Sequence, residues 1–182
     1  MVAPKLLEVV YTSNCNSQGD FKMRKQKIFL ILQNIRSIYN VGAIFRTAEC
    51  AGISKIFLSG YTPTPLDRFG RERKDFVKVA LGAEKSIVWE QKKNIEKLLE
   101  DLKKEGVHII AVEQSKNSVD YKKIKIKGPT AFIFGNEIRG LSSSVLKKAD
   151  IVAEIPMKGK KESLNVSVSV GVVLFQTLDK NL

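Results

Sequence analysis

Three short stretches of the chain gather residue types that grip and orient polar ligands. The first, residues 34–46, reads Asn-Ile-Arg-Ser-Ile-Tyr-Asn-Val-Gly-Ala-Ile-Phe-Arg. Asn40 and Gly42 offer turn and cap chemistry there, and Arg46 falls about one turn into the helix expected to follow. A capped helix with an exposed arginine accounts for this stretch by itself; the functional alternative sets Arg46 over the strand ends, where open α/β sheets bind ligands. In the second stretch, residues 134–142, Gly135 and Gly140 bracket a polar turn containing Asn136, Glu137 and Arg139. Glycines there let backbone approach a ligand. Leu141 and Ser142 follow Gly140 where a phosphate-cradling P-loop needs Lys and Ser/Thr, and no GxGxxG fingerprint is present. The third stretch, residues 155–165, leaves an apolar run at Pro156, crosses Lys158, Lys160 and Lys161, and arrives at Ser163-Leu164-Asn165. Ser163 and Asn165 read either as a helix N-cap and its neighbour or as a hydroxyl and an amide that orient a polar ligand.

The elements that must position these stretches alternate along the chain. Apolar runs at 28–32, 55–59, 86–89, 107–112, 130–134 and 151–155 predict strands, several of them continuous as in a parallel sheet buried on both faces. Between them, Ile44, Phe45, Ala48 and Ala51 predict a helix over 41–52 ending at Gly52. Ile95, Leu98, Leu99 and Leu102 predict another over 94–105, and Ser142 caps a short one reaching 149. Residues 60–74 read as a loop rich in turn and basic residues. Such alternation predicts one open α/β domain with a mostly parallel sheet and helices on both faces, over residues 27–182, preceded by a basic arm at 1–26. Residues 164–175 resist this reading: Leu164, Val166, Val168, Val170 and Val172 alternate with Asn, Ser and Gly, which by period alone predicts a strand, and Val173-Leu174-Phe175 then breaks the alternation.

Composition narrows the chemistry. The 182 residues carry 31 Lys and Arg against 19 acidic side chains, a formal charge of +12 that favours a polyanionic partner. His108 is the single histidine and sits inside an apolar run, so Ser-His-Asp, Cys-His and histidine–metal chemistry all lack their usual base or ligand. Cys15 and Cys50 match no zinc spacing and no disulfide framework, so no metal is expected. No run is long enough to span a bilayer, and residues 6–11 are too short for a signal-peptide core; a cytoplasmic protein is the expectation.

Taken together, residues 34–46, 135–142 and 155–165 resemble, in order and spacing, the three motifs of the SpoU/TrmH-type (SPOUT) RNA methyltransferases. Val79-Ala80-Leu81-Gly82-Ala83-Glu84 is similar to the family's segment before its third strand, so the likeness runs over about residues 27–178. The resemblance implies a deep C-terminal trefoil knot, a helix rather than a strand after Asn165, and a homodimer that shares active sites between subunits. It implies an S-adenosylmethionine pocket formed by Val112, Glu113, Gly135, Asn136, Gly140, Ile155, Met157, Ser163 and Leu164. It also implies transfer of a methyl group to a ribose 2′-hydroxyl of RNA, with Arg46 and Asn40 joined by Glu137, Ser163 and Asn165 as the active-site polar set.

A guanidinium stays protonated in ordinary protein settings, so the expected role of Arg46 is to hold a phosphate and stabilise the developing alkoxide rather than to act as base. Glu137 or a substrate phosphate then helps to accept the proton. Arg46, Arg68, Arg71, Arg73, Lys158 and Lys160 are the expected phosphate contacts, and the arm adds Lys22, Arg24, Lys25 and Lys27. RNA choice is expected to rest on the core, the arm and the dimer surface. The run Val112-Glu113-Gln114-Ser115 leans the expectation towards tRNA over rRNA. Two other readings compete: an RNA-binding module that keeps the fold without catalysis, and a nucleotide-binding α/β protein acting on a small anion.

Overall fold

The structure, a computed structural model, describes residues 27–179; the arm at 1–26 and residues 180–182 lie outside the described residues. Its strands are β1 (Ile28–Gln33), β2 (Lys55–Ser59), β3 (Trp89–Lys92), β4 (His108–Val112), β5 (Val119–Asp120), β6 (Thr130–Phe134) and β7 (Ile151–Glu154). They form a seven-stranded sheet in the order β3-β2-β1-β6-β4-β7-β5, and every strand pair is parallel. The helices are α1 (Ile38–Cys50), α2 (Lys74–Ala80), α3 (Ala83–Ser86), α4 (Ile95–Lys104), α5 (Ser143–Lys148) and α6 (Val166–Asp179).

Continuous apolar strands arise here because both sheet faces are covered. In β1, Leu30 and Leu32 pack with Ile44, Phe45 and Val170 under α1 and α6, while Ile31 packs with Leu99 and Val145 under α4 and α5. Each fully buried Leu, Ile or Phe contributes about 1.5–3 kcal/mol of transfer free energy. On α4, Leu98, Leu99 and Leu102 are buried and Asn94 caps the start, its side chain accepting from the Lys97 N–H. The expected strands at 28–32, 55–59, 107–112, 130–134 and 151–155 are present within a residue or so, as is the helix capped by Ser142.

Several expectations need correction. Residues 86–89 are not a strand: Ser86 ends the turn of α3, and pairing begins only at Trp89, opposite Ile56. Helix α1 starts at Ile38 because the Ser37 side chain, rather than Asn40 or Gly42, caps it by accepting from the Asn40 N–H at 3.2 Å. Ile38 and Val41 already share the helical spacing of Phe45 and Ala48, but the turn chemistry of Asn40 and Gly42 hid that start. Helices α2 and α3, the short β5 and the 3-10 turn Tyr121–Lys123 interrupt segments that carry no strong periodicity. From Val166 onward the alternating residues belong to a helix, as the family resemblance implied and the period did not. In α6 the buried positions are Val166, Val170, Val173, Leu174 and Thr177, a helical spacing, while Val168 is exposed. Its small residues permit close packing on α1, with Gly171 against Thr47.

Candidate active site

The chain leaves β1 towards α1 on one sheet face and leaves β6 towards α5 on the other, although β1 and β6 are neighbours. Such a divergence opens a crevice at the carboxyl ends of parallel strands, the usual ligand position in open α/β sheets. The loop after β6 fills part of it. Gly135 is required there: a Cβ would stand 2.6 Å from the Gly140 carbonyl carbon and 2.7 Å from the Leu141 nitrogen. Gly140, at φ 63°, completes the turn, and a Cβ at that position would meet the Glu113 carboxylate at 2.3 Å. That carboxylate accepts from the Leu141 N–H at 2.8 Å and so joins the β4 and β6 loops.

Glu137 projects from the same turn towards the start of α1. It accepts from the Arg36 N–H at 3.1 Å, the Ser37 N–H at 3.4 Å and the Asn40 amide at 3.0 Å. Asn40 Oδ1 in turn accepts from the Asn165 amide at 3.2 Å. Asn165 is the residue that caps α6, its Oδ1 accepting from the Ser167 N–H at 2.9 Å; Ser163 lies two residues short of that position. The three motif stretches are therefore joined by one hydrogen-bonded chain, Glu137–Asn40–Asn165.

Partial burial works to raise the Glu137 pKa, but the donors from Arg36, its own N–H, Asn40 and Ser37 outweigh it and hold the carboxyl below the usual carboxylate value of 4.5. An ionised carboxylate already satisfied by these donors is a weak proton acceptor, which counts against the proton-accepting role expected for Glu137.

Beside this chain lies a cavity of about 290 Å³ between the loops after β4, β6 and β7 and the start of α6. Val112, Glu113, Gly135, Asn136 and Gly140 line it from the first two loops, and Ile155, Met157, Ser163 and Leu164 from the third. All nine residues anticipated around a cofactor thus face one space. Sequence reasoning missed Gln114, Glu154, Glu162, Val166 and Ser169, which also line it. Gln114 closes one side by donating to the Glu162 carbonyl at 2.6 Å. Its place directly after Glu113 at a strand end was the available signal.

In a chain of charge +12 the lining contains Glu113, Glu137, Glu154 and Glu162 and no Lys or Arg. A cationic ligand fits such a wall. Ile155, Met157, Leu164 and Val166 add an apolar side suited to an aromatic ring. S-adenosylmethionine, which joins a sulfonium and an ammonium to an adenine, has both features, so the residues present fit it.

Arg46 stands elsewhere. The earlier start of α1 places it eight residues from Ile38, more than two turns into the helix rather than one, and it is exposed. It does not line the cavity, and no hydrogen bond or ion pair to another described residue holds it. Its expected place over the strand ends is thus corrected within one chain: six residues beyond Asn40, it points from a different helix face.

The basic loop is more ordered than a solvated loop would be. Asp67 accepts from the Phe69 and Arg71 N–H groups and pairs with the Arg71 guanidinium at 2.9 Å, while Arg68 and Arg71 flank the exposed Phe69 ring at 4.7 and 5.0 Å. Arg73 is half-buried at the start of α2. Lys158 and Lys160 are exposed.

A sequence model described as the SpoU rRNA Methylase family matches residues 27–175. The chain belongs to this family. It is 32% identical over 154 residues to the tRNA (guanosine(18)-2′-O)-methyltransferase of Aquifex aeolicus, covering 84% of this chain and 69% of that protein. To the 23S rRNA (guanosine-2′-O-)-methyltransferase RlmB of Pseudomonas aeruginosa it is 31% identical, over 83% of this chain and 58% of the relative. Among solved structures, the AdoMet-bound rRNA methyltransferase of Sinorhizobium meliloti superposes with a TM-score of 0.77 at 30% identity, over 86% of this chain and 57% of that one. The chain thus spans little more than half the length of these rRNA-directed relatives, and about two thirds of the tRNA-directed one. The α/β architecture is that of the SpoU family.

Proposed function

We propose that the chain transfers the methyl group of S-adenosylmethionine to a ribose 2′-hydroxyl of RNA, with tRNA favoured over rRNA. The observation that carries this reading is the Glu137–Asn40–Asn165 chain, which ties the three family motifs together at the edge of a cavity lined by carboxylates. The relatives' names support the reaction, and the Aquifex relative, of which the chain covers the larger share, supports tRNA.

In this reading residues 27–182 form the methyltransferase domain and residues 1–26 a basic arm. Met157, Ile155 and Leu164 flank the adenine, backbone at Val112, Gly135 and Gly140 holds the ribose and amino-acid portions, and Glu113, Asn136 and Ser163 complete the pocket. When bound, the cofactor supplies an activated methyl on a positively charged sulfur. The chain's own residues orient the acceptor and manage charge: Asn40 and Asn165 fix the rim, Ser163 offers a hydroxyl at its exposed lip, and Arg46 holds a phosphate and stabilises the developing alkoxide. Glu137 anchors the turn at residues 135–140 to the start of α1 as a carboxylate.

Arg46 reaches a site in this reading through a homodimer. Tyr39, 59% exposed, lies seven residues before it and therefore on the same α1 face, which leaves an aromatic and a guanidinium available to a second subunit. The C-terminal knot belongs to the same reading and is supported by membership of the family. Arg68, Arg71, Arg73, Lys158 and Lys160 are the proposed outer phosphate contacts, Arg68 and Arg71 through the face of their loop. No helix among the described residues is long and apolar enough to cross a membrane, and the proposed place of action is the cytoplasm.

The test is methyl transfer from labelled S-adenosylmethionine to separated tRNA and rRNA pools, with Arg46→Ala alongside. Label in a nuclease-resistant dinucleotide, absent with the variant, is the expected result. Absence of both label and cofactor binding would overturn the reading in favour of an RNA-binding module.

A further inference from the structure

A second hollow opens on the other side of residues 136–138 from the cofactor cavity, lined by Arg36, Tyr61, Asn136, Ile138 and Arg139. None of Arg36, Tyr61 and Arg139 belongs to the cavity lining, whereas Asn136 and Ile138 line both. The shared residue Asn136 is 7% exposed and holds the divide in place. Its amide donates to the Asn34 carbonyl at 2.8 Å and to the Tyr61 hydroxyl at 2.9 Å, and its Oδ1 accepts from the Ile138 and Arg139 N–H groups. The phenol, the turn, the Arg139 backbone and the chain at Asn34, two residues before Arg36, are thereby set in fixed relation.

Arg36 and Arg139 both line this hollow, and among the described residues no carboxylate pairs with either. The nearby carboxylate, Glu137, is engaged by the main-chain N–H groups of Arg36 and Ser37 and by Asn40, and pairs with neither arginine. Neither the Arg36 nor the Arg139 side chain has a hydrogen bond or ion pair with any other described residue. Like charges brought together in this way repel unless an anion sits between them, and the guanidinium fork matches phosphate oxygens. The remaining wall is Tyr61, 59% exposed, and Ile138, 76% exposed. An exposed phenol beside paired arginines is the surface on which an unstacked base rests, because every base has a π-face.

We propose that this hollow receives the target nucleotide of the RNA, its phosphate held between Arg36 and Arg139 and its base against Tyr61 and Ile138, with the ribose at the rim shared with the cofactor cavity. The proposal rests on the RNA methyl-transfer reading above and deepens it. Its consequence for substrate class is that the target lies in an unpaired stretch of RNA, since a base within a duplex cannot reach the Tyr61 ring. The opposite polarity of the two hollows keeps the anionic substrate and the cationic end of the cofactor on separate sides of residues 136–138.

The test uses the full chain and compares Arg36→Gln, Arg139→Gln, Tyr61→Leu and Tyr61→Phe with wild type, and Lys97→Gln on the exposed side of α4 as a charge control. Three quantities are read: cofactor affinity by calorimetry, KM for the RNA pool that accepts label, and the slope of log RNA affinity against log salt. Each arginine variant should keep cofactor affinity, raise KM roughly 10- to 100-fold as expected for a lost charged hydrogen bond, and lower the salt slope by about 0.7 as expected for one single-stranded phosphate contact. Tyr61→Leu should raise KM with the slope unchanged, and Tyr61→Phe, which keeps the ring but loses the bond to Asn136, should raise it less. Lys97→Gln should move none of the three. If a Gln variant loses cofactor affinity, Arg36→Met or Arg139→Met, which keep the length of the stem, decide by the same readings. Wild-type transfer with KM and slope unmoved in both arginine variants overturns the subsite and leaves the enzyme reading standing. Wild type that neither binds cofactor nor methylates either RNA pool overturns both together.

Discussion

The two hollows on either side of Asn136 and Ile138 are built from adjoining loops yet carry opposite charge. The cofactor cavity presents Glu113, Glu154 and Glu162 and no basic side chain; its neighbour presents Arg36 and Arg139. They differ in construction as well. The cavity is tied together by side-chain bonds across loops, Glu113 to Leu141 and Gln114 to Glu162, whereas the guanidiniums of the second hollow make no bond to another described residue. A net charge of +12 therefore says nothing about the sign of a particular site. What matters locally is whether a charged side chain is used to hold the protein together or left for a ligand.

The most severe way to break this contrast is to fill the cavity's floor. Gly135→Ala would push a methyl group to 2.6 Å from backbone that cannot retreat, and we expect a loss of about 1–3 kcal/mol in stability together with loss of cofactor binding. Denaturant unfolding and calorimetry on one preparation check both. Removing the carboxylate between the two hollows should come next. Glu137→Gln weakens charge-assisted bonds to Arg36, Ser37 and Asn40, at a cost of about 1 kcal/mol for an exposed group, and should lower methyl transfer to both RNA pools.

The pH dependence of stability tests the same group. The Glu137 pKa is lower in the folded chain than its ordinary 4.5, so its contribution is present above that value and is lost as pH falls through the lower, folded value. Unfolding curves between neutral and strongly acidic pH should show a shallower acid loss for Glu137→Gln than for wild type; identical acid limbs would remove Glu137 as the cause.

A smaller effect is expected from Gln114→Ala, which opens one side of the cavity by removing the 2.6 Å bond to Glu162. Cofactor affinity should fall severalfold, on the order of 1 kcal/mol for one neutral hydrogen bond, while RNA affinity stays unchanged. Smallest of all should be Lys158→Gln and Lys160→Gln. These exposed side chains should change the salt slope of RNA binding by about 0.7 each and leave cofactor affinity untouched. An equal loss of RNA affinity from Gln114→Ala and from the lysine variants would erase the division between the two regions.

Much of this was legible in the chain before folding. The apolar runs of β1, β2, β4 and β6 and the leucine spacing of α4 announce themselves because burial on one or both faces leaves a local pattern. Gly135 and Gly140 marked the turn where backbone must approach backbone, and the three motif stretches marked the family. What local pattern could not announce was any position set by a partner distant in sequence. The valines of α6 alternate like a strand, and the packing of small residues on α1 makes them a helix. Arg46 was placed near the strand ends from an assumed helix start, and the Ser37 cap moved it beyond two turns. Asn40 lies 97 residues from Glu137 and 125 from Asn165 along the chain, and the crossing of β1 and β6 connections to opposite faces brings it within hydrogen-bonding distance of both. Residue types, periods and glycine positions are properties of neighbouring residues, and the sequence determined them alone. The unpaired state of Arg36 and Arg139 beside Tyr61 depends on which remote carboxylate reaches them and which is held elsewhere, and that was decided only when the sheet brought its loops to one edge.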